Sequence, residues 1–208
     1  AVQEAFGLEL LDGPLFSVVS RLTGQKGIDL LTLNIDYIVS LGGQVAVLGS
    51  GETHLENAIR EATQRHPGKV GLVTGYNEKL SHLVQGGSDV ILVPSRFEPC
   101  GLTQLYALRY GSIPLVSRVG GLNDTVIDAN SAAMLADVAT GIQFAPPTSE
   151  ALGDAIRRTF ALYADDRTWK KMQRRGMKSD VSWETSAARY AQIYASLTGM
   201  TINDSAND

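Results

Sequence analysis

The apolar residues of this chain fall into two kinds of run, and the two alternate. Phe16-Ser17-Val18-Val19-Ser20, Val45-Ala46-Val47-Leu48, Val70-Gly71-Leu72-Val73, Val90-Ile91-Leu92-Val93, Ile113-Pro114-Leu115-Val116 and Gly141-Ile142-Gln143-Phe144 are short and nearly unbroken. Strands buried on both faces look like this, as in a parallel sheet covered by helices. Between them the apolar positions step by three and four. Ile28, Leu31, Ile35, Ile38 and Leu41 predict one helix stopping at Gly42-Gly43, and Leu55, Ala58, Ile59 and Ala62 predict another after Gly51. Strand, helix, strand, helix is the order of βαβ units, so the expected fold is α/β, a doubly wound parallel sheet with helices on both faces.

After Phe144 the alternation stops. Pro146-Pro147 interrupts the chain, and helical patterns follow with no strand between them. Leu152, Ile156, Phe160 and Tyr163 form one apolar stripe, and Trp183, Ala187, Ala191, Tyr194 and Leu197 another. These helices are expected to pack on the sheet domain or on a partner domain. Thr201 to Asp208 is short and polar and is expected to fray.

Composition narrows the function classes. At 208 residues, 44% hydrophobic and 19% charged, the chain has the makeup of an ordinary globular domain rather than a disordered or fibrous one. A net charge of -4 provides no broad basic surface, which disfavours general nucleic-acid binding and electrostatic membrane anchoring, so any anion site must be local. One cysteine, Cys100, excludes an internal disulfide and a zinc cluster, and no run approaches the ~18 apolar residues of a membrane span. A cytoplasmic location is expected. The opening Ala1-Val2-Gln3-Glu4-Ala5 has no initiator Met and no leader, and is expected to lie inside a longer polypeptide.

Ligands of open parallel sheets bind beyond the carboxyl ends of the strands. The segments there are Ser20-Arg21-Leu22-Thr23-Gly24-Gln25-Lys26-Gly27, Thr74-Gly75-Tyr76-Asn77, Pro94 to Gln104, and Arg118 to Thr125. Arg21 and Lys26, beside the Gly24-Gln25 turn and a helix start, suit a phosphate or diphosphate, and equally suit solvated surface cations. Glu98, before the helix start at Gly101-Leu102-Thr103, could accept hydrogen bonds from sugar hydroxyls or merely complement the helix dipole. Tyr76 after Gly75 could stack a planar base or be an exposed turn residue. Cys100 has no histidine near it in sequence and fits a small buried hydrophobe better than a nucleophile. His54, His66 and His82 lack metal-ligand spacing, and no Asp-x-Asp motif occurs. Gly49-Ser50-Gly51-Glu52 begins like a dinucleotide fingerprint but lacks the third glycine.

Taken together, Ser95-Arg96-Phe97-Glu98-Pro99-Cys100-Gly101-Leu102-Thr103-Gln104-Leu105, the Ser20 to Gly27 loop and Gly120-Gly121-Leu122-Asn123-Asp124-Thr125-Val126 resemble the C-terminal half of bacterial glycogen synthases and plant starch synthases. The resemblance runs from about Leu15 to Leu197. It implies a GT-B architecture, two Rossmann-like domains facing across a cleft, of which this chain is the sugar-nucleotide-binding one. Residues 1–14 would be an interdomain lead-in, 15–180 the donor-binding domain, 181–200 a helix packing back toward an N-terminal domain, and 201–208 a polar tail. By the same resemblance Arg21 and Lys26 hold the donor diphosphate, with Gly24 and Gln25 in their turn. Tyr76, after Gly75, stacks adenine, Leu102 and Thr103 meet the distal phosphate, and Glu98 with the Cys100-Gly101 backbone holds glucose.

The implied reaction is glucosyl transfer from ADP-glucose to the non-reducing end of an α-1,4-glucan with retention, without a metal or other cofactor. Arg21, Lys26 and Glu98 are the expected catalytic residues. Eight positions after Glu98, where many retaining relatives carry a second glutamate, stands Tyr106, a loss the glycogen and starch synthases share. The family's Lys-x-Gly-Gly loop, which belongs to the N-terminal domain, does not occur in this chain. Two other classes fit the alternation alone: a non-catalytic nucleotide-sugar or glucan binding module, and a nicotinamide-binding Rossmann domain. The latter requires Gly-x-Gly-x-x-Gly after the first strand, where this chain has Arg-Leu-Thr-Gly-Gln-Lys-Gly.

Overall fold

A computed structural model describes residues 1–200, so the tail expected at 201–208 lies outside the described residues. Ala1–Lys178 forms one unit, and the described residues from 179 onward belong to a second. In the first, six strands make one fully parallel sheet: β1 (Leu15–Val19), β2 (Gln44–Leu48), β3 (Val70–Val73), β4 (Val90–Val93), β5 (Ile113–Ser117) and β6 (Ile142–Phe144). Their spatial order is β3-β2-β1-β4-β5-β6. The chain therefore winds one way from β1 to β3, returns, and winds the other way from β4, so the winding reverses between β1 and β4.

The unbroken apolar runs follow from burial on both faces. Within each strand successive residues point to opposite faces. Phe16, Val18, Val45, Val47, Leu92 and Leu115 fill one core, whereas Leu15, Ala46, Leu48, Ile91, Val93 and Val116 fill the other. Fully burying one such side chain contributes about 1.5–3 kcal/mol, so neither face tolerates a polar run. The first core is covered by α2 (Ile28–Thr32), α3 (Ile35–Ser40), α4 (Thr53–Arg65), α9 (Ser149–Tyr163) and α10 (Asp166–Lys178). The second is covered by α1 (Val2–Ala5), α5 (Glu78–Gly87), α6 (Thr103–Tyr110) and α7 (Gly120–Thr125), and by Phe6 and Leu8. A short α8 (Ser131–Leu135) precedes β6. In the second unit α11 (Trp183–Thr198) carries a row of rings, Trp183, Tyr190 and Tyr194, with successive centroids 6.0 and 6.3 Å apart. Among the described residues no helix is long and apolar enough to cross a membrane.

One predicted helix is two. The stripe from Ile28 to Leu41 breaks at Leu33-Asn34, because the Asn34 side chain takes over a backbone bond. Its Nδ2 donates to the Leu30 carbonyl at 2.9 Å, while its own N–H turns to Leu31. The same amide reaches Ser149 Oγ at 3.0 Å, tying α2 and α3 to the start of α9.

Asp89, just before β4, accepts the Leu15 N–H at 2.8 Å, and its carbonyl accepts the Ile113 N–H at 2.9 Å, so it joins three strands. Burial penalises its charged form and raises its pKa above the ordinary carboxylate value. A raised carboxyl pKa contributes stability below the unfolded-state value and loses it as pH rises through the folded-state value. Asp89→Asn, which keeps an acceptor for Leu15, should gain on the wild type in urea unfolding as pH rises from about 4 to about 7. A stability difference independent of pH would contradict this.

Candidate functional site

The winding reversal separates the loops after β1 and β4 and leaves a crevice at the carboxyl edge. From β1, Ser20 to Thr23 leads into a 3-10 turn, Gly24–Lys26, capped by Thr23 Oγ1 accepting the Lys26 N–H at 3.4 Å. Gly27 then takes a left-handed conformation at φ +68°, and a Cβ there would overlap the Pro94 carbonyl oxygen, so only glycine lets the two loops meet. The β1 loop rests on Gly49-Ser50-Gly51-Glu52. Leu22 N–H donates to the Ser50 carbonyl at 2.9 Å, Glu52 N–H to the Leu22 carbonyl at 2.8 Å, and Gly24 N–H to Glu52 Oε1 at 3.1 Å. The pair of glycines that began like a dinucleotide fingerprint is this shelf.

From β4, Pro94 to Leu102 reaches α6. Lys26 Nζ and Glu98 Oε2, 72 positions apart in sequence, meet at 2.6 Å, with side-chain exposures of 20% and 12%. Ser95 Oγ donates to the same carboxylate oxygen at 3.1 Å, and Ser117 Oγ, from β5, donates to the Ser95 carbonyl. Lys26, Ser95, Glu98 and Thr103, the first residue of α6, line a hollow of about 20 Å³. Beside it, Arg21, Ser50, Gly75, Tyr76 and Asn77 line a cleft of about 260 Å³. Val19 and Ser20 border both, so the two form one trough along the sheet edge. Arg21 is exposed and, among the described residues, pairs with no carboxylate. Tyr76 is 88% exposed, its ring free to be covered.

Gly24, Gln25, Cys100, Gly101 and Leu102 line neither hollow. Gly24 and Gln25 face the β4 loop, where Arg96 donates from Nη1 to the Gly24 carbonyl at 2.7 Å and from its N–H to the Gln25 carbonyl at 2.9 Å. Arg96 also grips Asp29 through two nitrogens, at 2.6 and 2.7 Å, and this guanidinium holds the Asp29 carboxyl below the usual carboxylate range. Cys100 is exposed, contrary to the buried hydrophobe its solitary position suggested, because its loop stands clear of both cores. Leu102 is exposed at the start of α6. Gln104, fully buried, holds the Cys100-Gly101 turn by donating to both carbonyls, at 3.0 and 2.9 Å, and reaches Thr125 Oγ1 in α7 at 3.1 Å. Ser95, Gln104 and Glu52 stand in motifs that the sequence singles out, yet neither they nor Ser117 and Asp29 carry a signal for these contacts, since each is defined by a partner on another loop or by burial.

Lys26 and Glu98 thus lie together at the crevice floor, and Arg21 and Tyr76 stand along its wall. Two histidines bond away from the trough, His66 Nε2 on Asp36 at 2.7 Å and His82 Nδ1 on the Tyr110 hydroxyl at 2.9 Å, while His54 Nε2 lies 3.8 Å from Glu52 on the shelf under the β1 loop. The sheet order, the loops at its reversal and the covering helices are those of a Rossmann-like half of a GT-B glycosyltransferase. The model of the family described as glycosyl transferases group 1 matches residues 4–176, and the chain belongs to that family. It is 59% identical over 197 residues to a glycogen synthase of Rhizobium johnstonii, covering 95% of this chain and 41% of that protein. A glycogen synthase of Rhizobium rhizogenes is 60% identical over 196 residues, with 94% and 41% covered. The catalytic domain of starch synthase IV from Arabidopsis thaliana, bound to ADP and acarbose, superposes with a TM-score of 0.85 at 34% identity, covering 93% of this chain and 41% of that one. The chain thus spans about two fifths of the length of the curated relatives it matches.

Gly121 shows how closely the third loop approaches. Its N–H donates to the Glu98 and Pro99 carbonyls, both at 3.1 Å, and a Cβ there would overlap the Cys100 carbonyl oxygen. Gly121→Ala should cost about 1–3 kcal/mol in urea unfolding, as overpacked contacts do. An unchanged midpoint and slope would show that the contact is not close.

Proposed function

We propose that this chain is the donor-nucleotide-binding part of a retaining glucosyltransferase that moves glucose from ADP-glucose to the non-reducing end of an α-1,4-glucan. The observation that carries this is the trough itself, with Arg21 and Tyr76 along one arm and the 2.6 Å Lys26–Glu98 pair in the other. The glycogen synthase relatives and the ADP in the starch synthase structure support the choice of nucleotide and sugar.

In this account the adenine covers the exposed Tyr76 ring and the diphosphate lies between Arg21 and Lys26. Leu102 and Thr103, with the first N–H groups of α6, meet the distal phosphate. Glu98, with the Cys100-Gly101 backbone, holds the glucose hydroxyls. As the bond from the anomeric carbon to the diphosphate breaks, the sugar gains oxocarbenium character and negative charge grows on the leaving group. Arg21 and Lys26 are preorganised beside that charge, the role a divalent cation takes at other sites. The acceptor hydroxyl bonds to the same face of the anomeric carbon, and its proton passes to the departing diphosphate. The acceptor and an N-terminal domain would be contributed by the remaining length seen in the relatives, so turnover belongs to the longer polypeptide.

Calorimetry with ADP, UDP and NAD tests the donor site on the chain itself. ADP should bind best, and Arg21→Ala and Lys26→Ala should each weaken it about tenfold, the scale of one charge-assisted hydrogen bond. NAD binding without an ADP preference would contradict the proposal. In the full-length protein, Glu98→Ala should lower kcat by orders of magnitude while ADP affinity stays level or tightens, because the substitution frees Lys26 from its carboxylate partner. Comparable losses in both would deny Glu98 its role toward the sugar.

A further inference from the structure

Lys26 hangs from a three-residue turn, and nothing within that turn fixes where its amine points. The restraint comes from across the crevice. Arg96 has four hydrogen bonds into the β1 side: Nη1 to the Gly24 carbonyl at 2.7 Å, Nη1 and Nη2 to the two Asp29 oxygens at 2.6 and 2.7 Å, and its N–H to the Gln25 carbonyl at 2.9 Å. Gln25 Nε2 answers toward the Phe97 carbonyl at 3.5 Å. The grip therefore starts one residue beyond Ser95 and two before Glu98 on one loop, and on the other holds the first two residues of the Lys26 turn and Asp29 in α2 beyond it.

Stability is a small part of this arrangement. The Arg96 and Asp29 side chains are 40% and 39% exposed, and pairs that open to water contribute little to folding, toward the upper end of that small range where the contact is two-pronged. A planar fork that engages a carboxylate through two nitrogens and a carbonyl through one of the same nitrogens fixes direction and distance instead. We infer that Arg96 is a positioning residue for the donor site: its clamp on Asp29 and the Gly24 carbonyl sets the 2.6 Å approach of Lys26 to Glu98 and so the place where the diphosphate binds. This rests on the proposed donor site, and deepens it by assigning a residue that touches neither hollow.

The test is a double-mutant cycle on ADP affinity by calorimetry, using the 208-residue chain at a temperature where every variant is folded by circular dichroism. Arg96→Gln should weaken ADP about tenfold, and Arg96→Lys should weaken it nearly as much, since an ammonium cannot span both carboxylate oxygens and the carbonyl. In a Lys26→Ala background, Arg96→Gln should add less than about a twofold loss, because its effect passes through Lys26. Full affinity in Arg96→Lys would reduce Arg96 to a nearby charge and overturn the inference. Losses that multiply in the double variant would overturn it too, by showing that Arg96 acts apart from Lys26. Wild-type chain that does not bind ADP would remove the donor site, and the positioning role with it; binding that weakens in Lys26→Ala but not in Arg96→Gln would remove the positioning role alone.

Discussion

The reversal of winding between β1 and β4 is the constraint on which the rest of this molecule depends. All six strands run parallel, so every strand ends at the same edge of the sheet, and helices connect them over both faces. Adjacent loops of such a sheet are normally led to the same face. Here the loops after β1 and β4, whose strands are neighbours, leave toward opposite faces, and a crevice opens between them. Lys26 and Glu98 are brought within 2.6 Å by that topology, and Arg21, Ser95 and Thr103 are brought to the same trough.

A crevice is not yet a site, because loops wander unless something holds them. Three kinds of restraint act here. Steric closeness lets Gly27 and Gly121 pass against the Pro94 and Cys100 carbonyls. Backbone bonds lay the β1 loop on Ser50 and Glu52. Side chains buried beneath the edge, Gln104 and Ser117, hold the β4 loop from below. Cation and carboxylate at the floor then neutralise each other across the crevice, which keeps a partly buried charge from standing alone. An incoming diphosphate and sugar would divide that pair between them, the phosphate drawing Lys26 and the hydroxyls drawing Glu98. Restraint of the loops and exchange of partners at the floor are what the proposed donor site would require.

Much of this was legible in the chain. The six strands lie within a residue of the apolar runs that predict them, because burial on both faces keeps those runs nearly all apolar, with Ser17 and Gln143 the buried polar exceptions. The parallel order also placed the chemistry: once strands alternate with helices, the loops after β1, β3, β4 and β5 must share an edge. What could not be read were contacts between distant positions. The tie from Asn34 to Ser149 spans 115 residues, and the Lys26–Glu98 pair spans 72. Arg96 sat inside a motif that was singled out, yet its role emerges only with Asp29 opposite it. Cys100 shows the reverse error, where a residue type that is usually buried stands on an exposed loop.

The central claim is that one trough at the winding reversal binds a nucleoside diphosphate through Arg21, Lys26 and Tyr76. A crystal structure of the chain with ADP tests it most directly. The account predicts the diphosphate within hydrogen-bonding distance of the Arg21 guanidinium and the Lys26 amine, with the adenine ring against Tyr76. ADP seated at another edge of the sheet, or in the trough with its phosphates turned away from both cations, would contradict it.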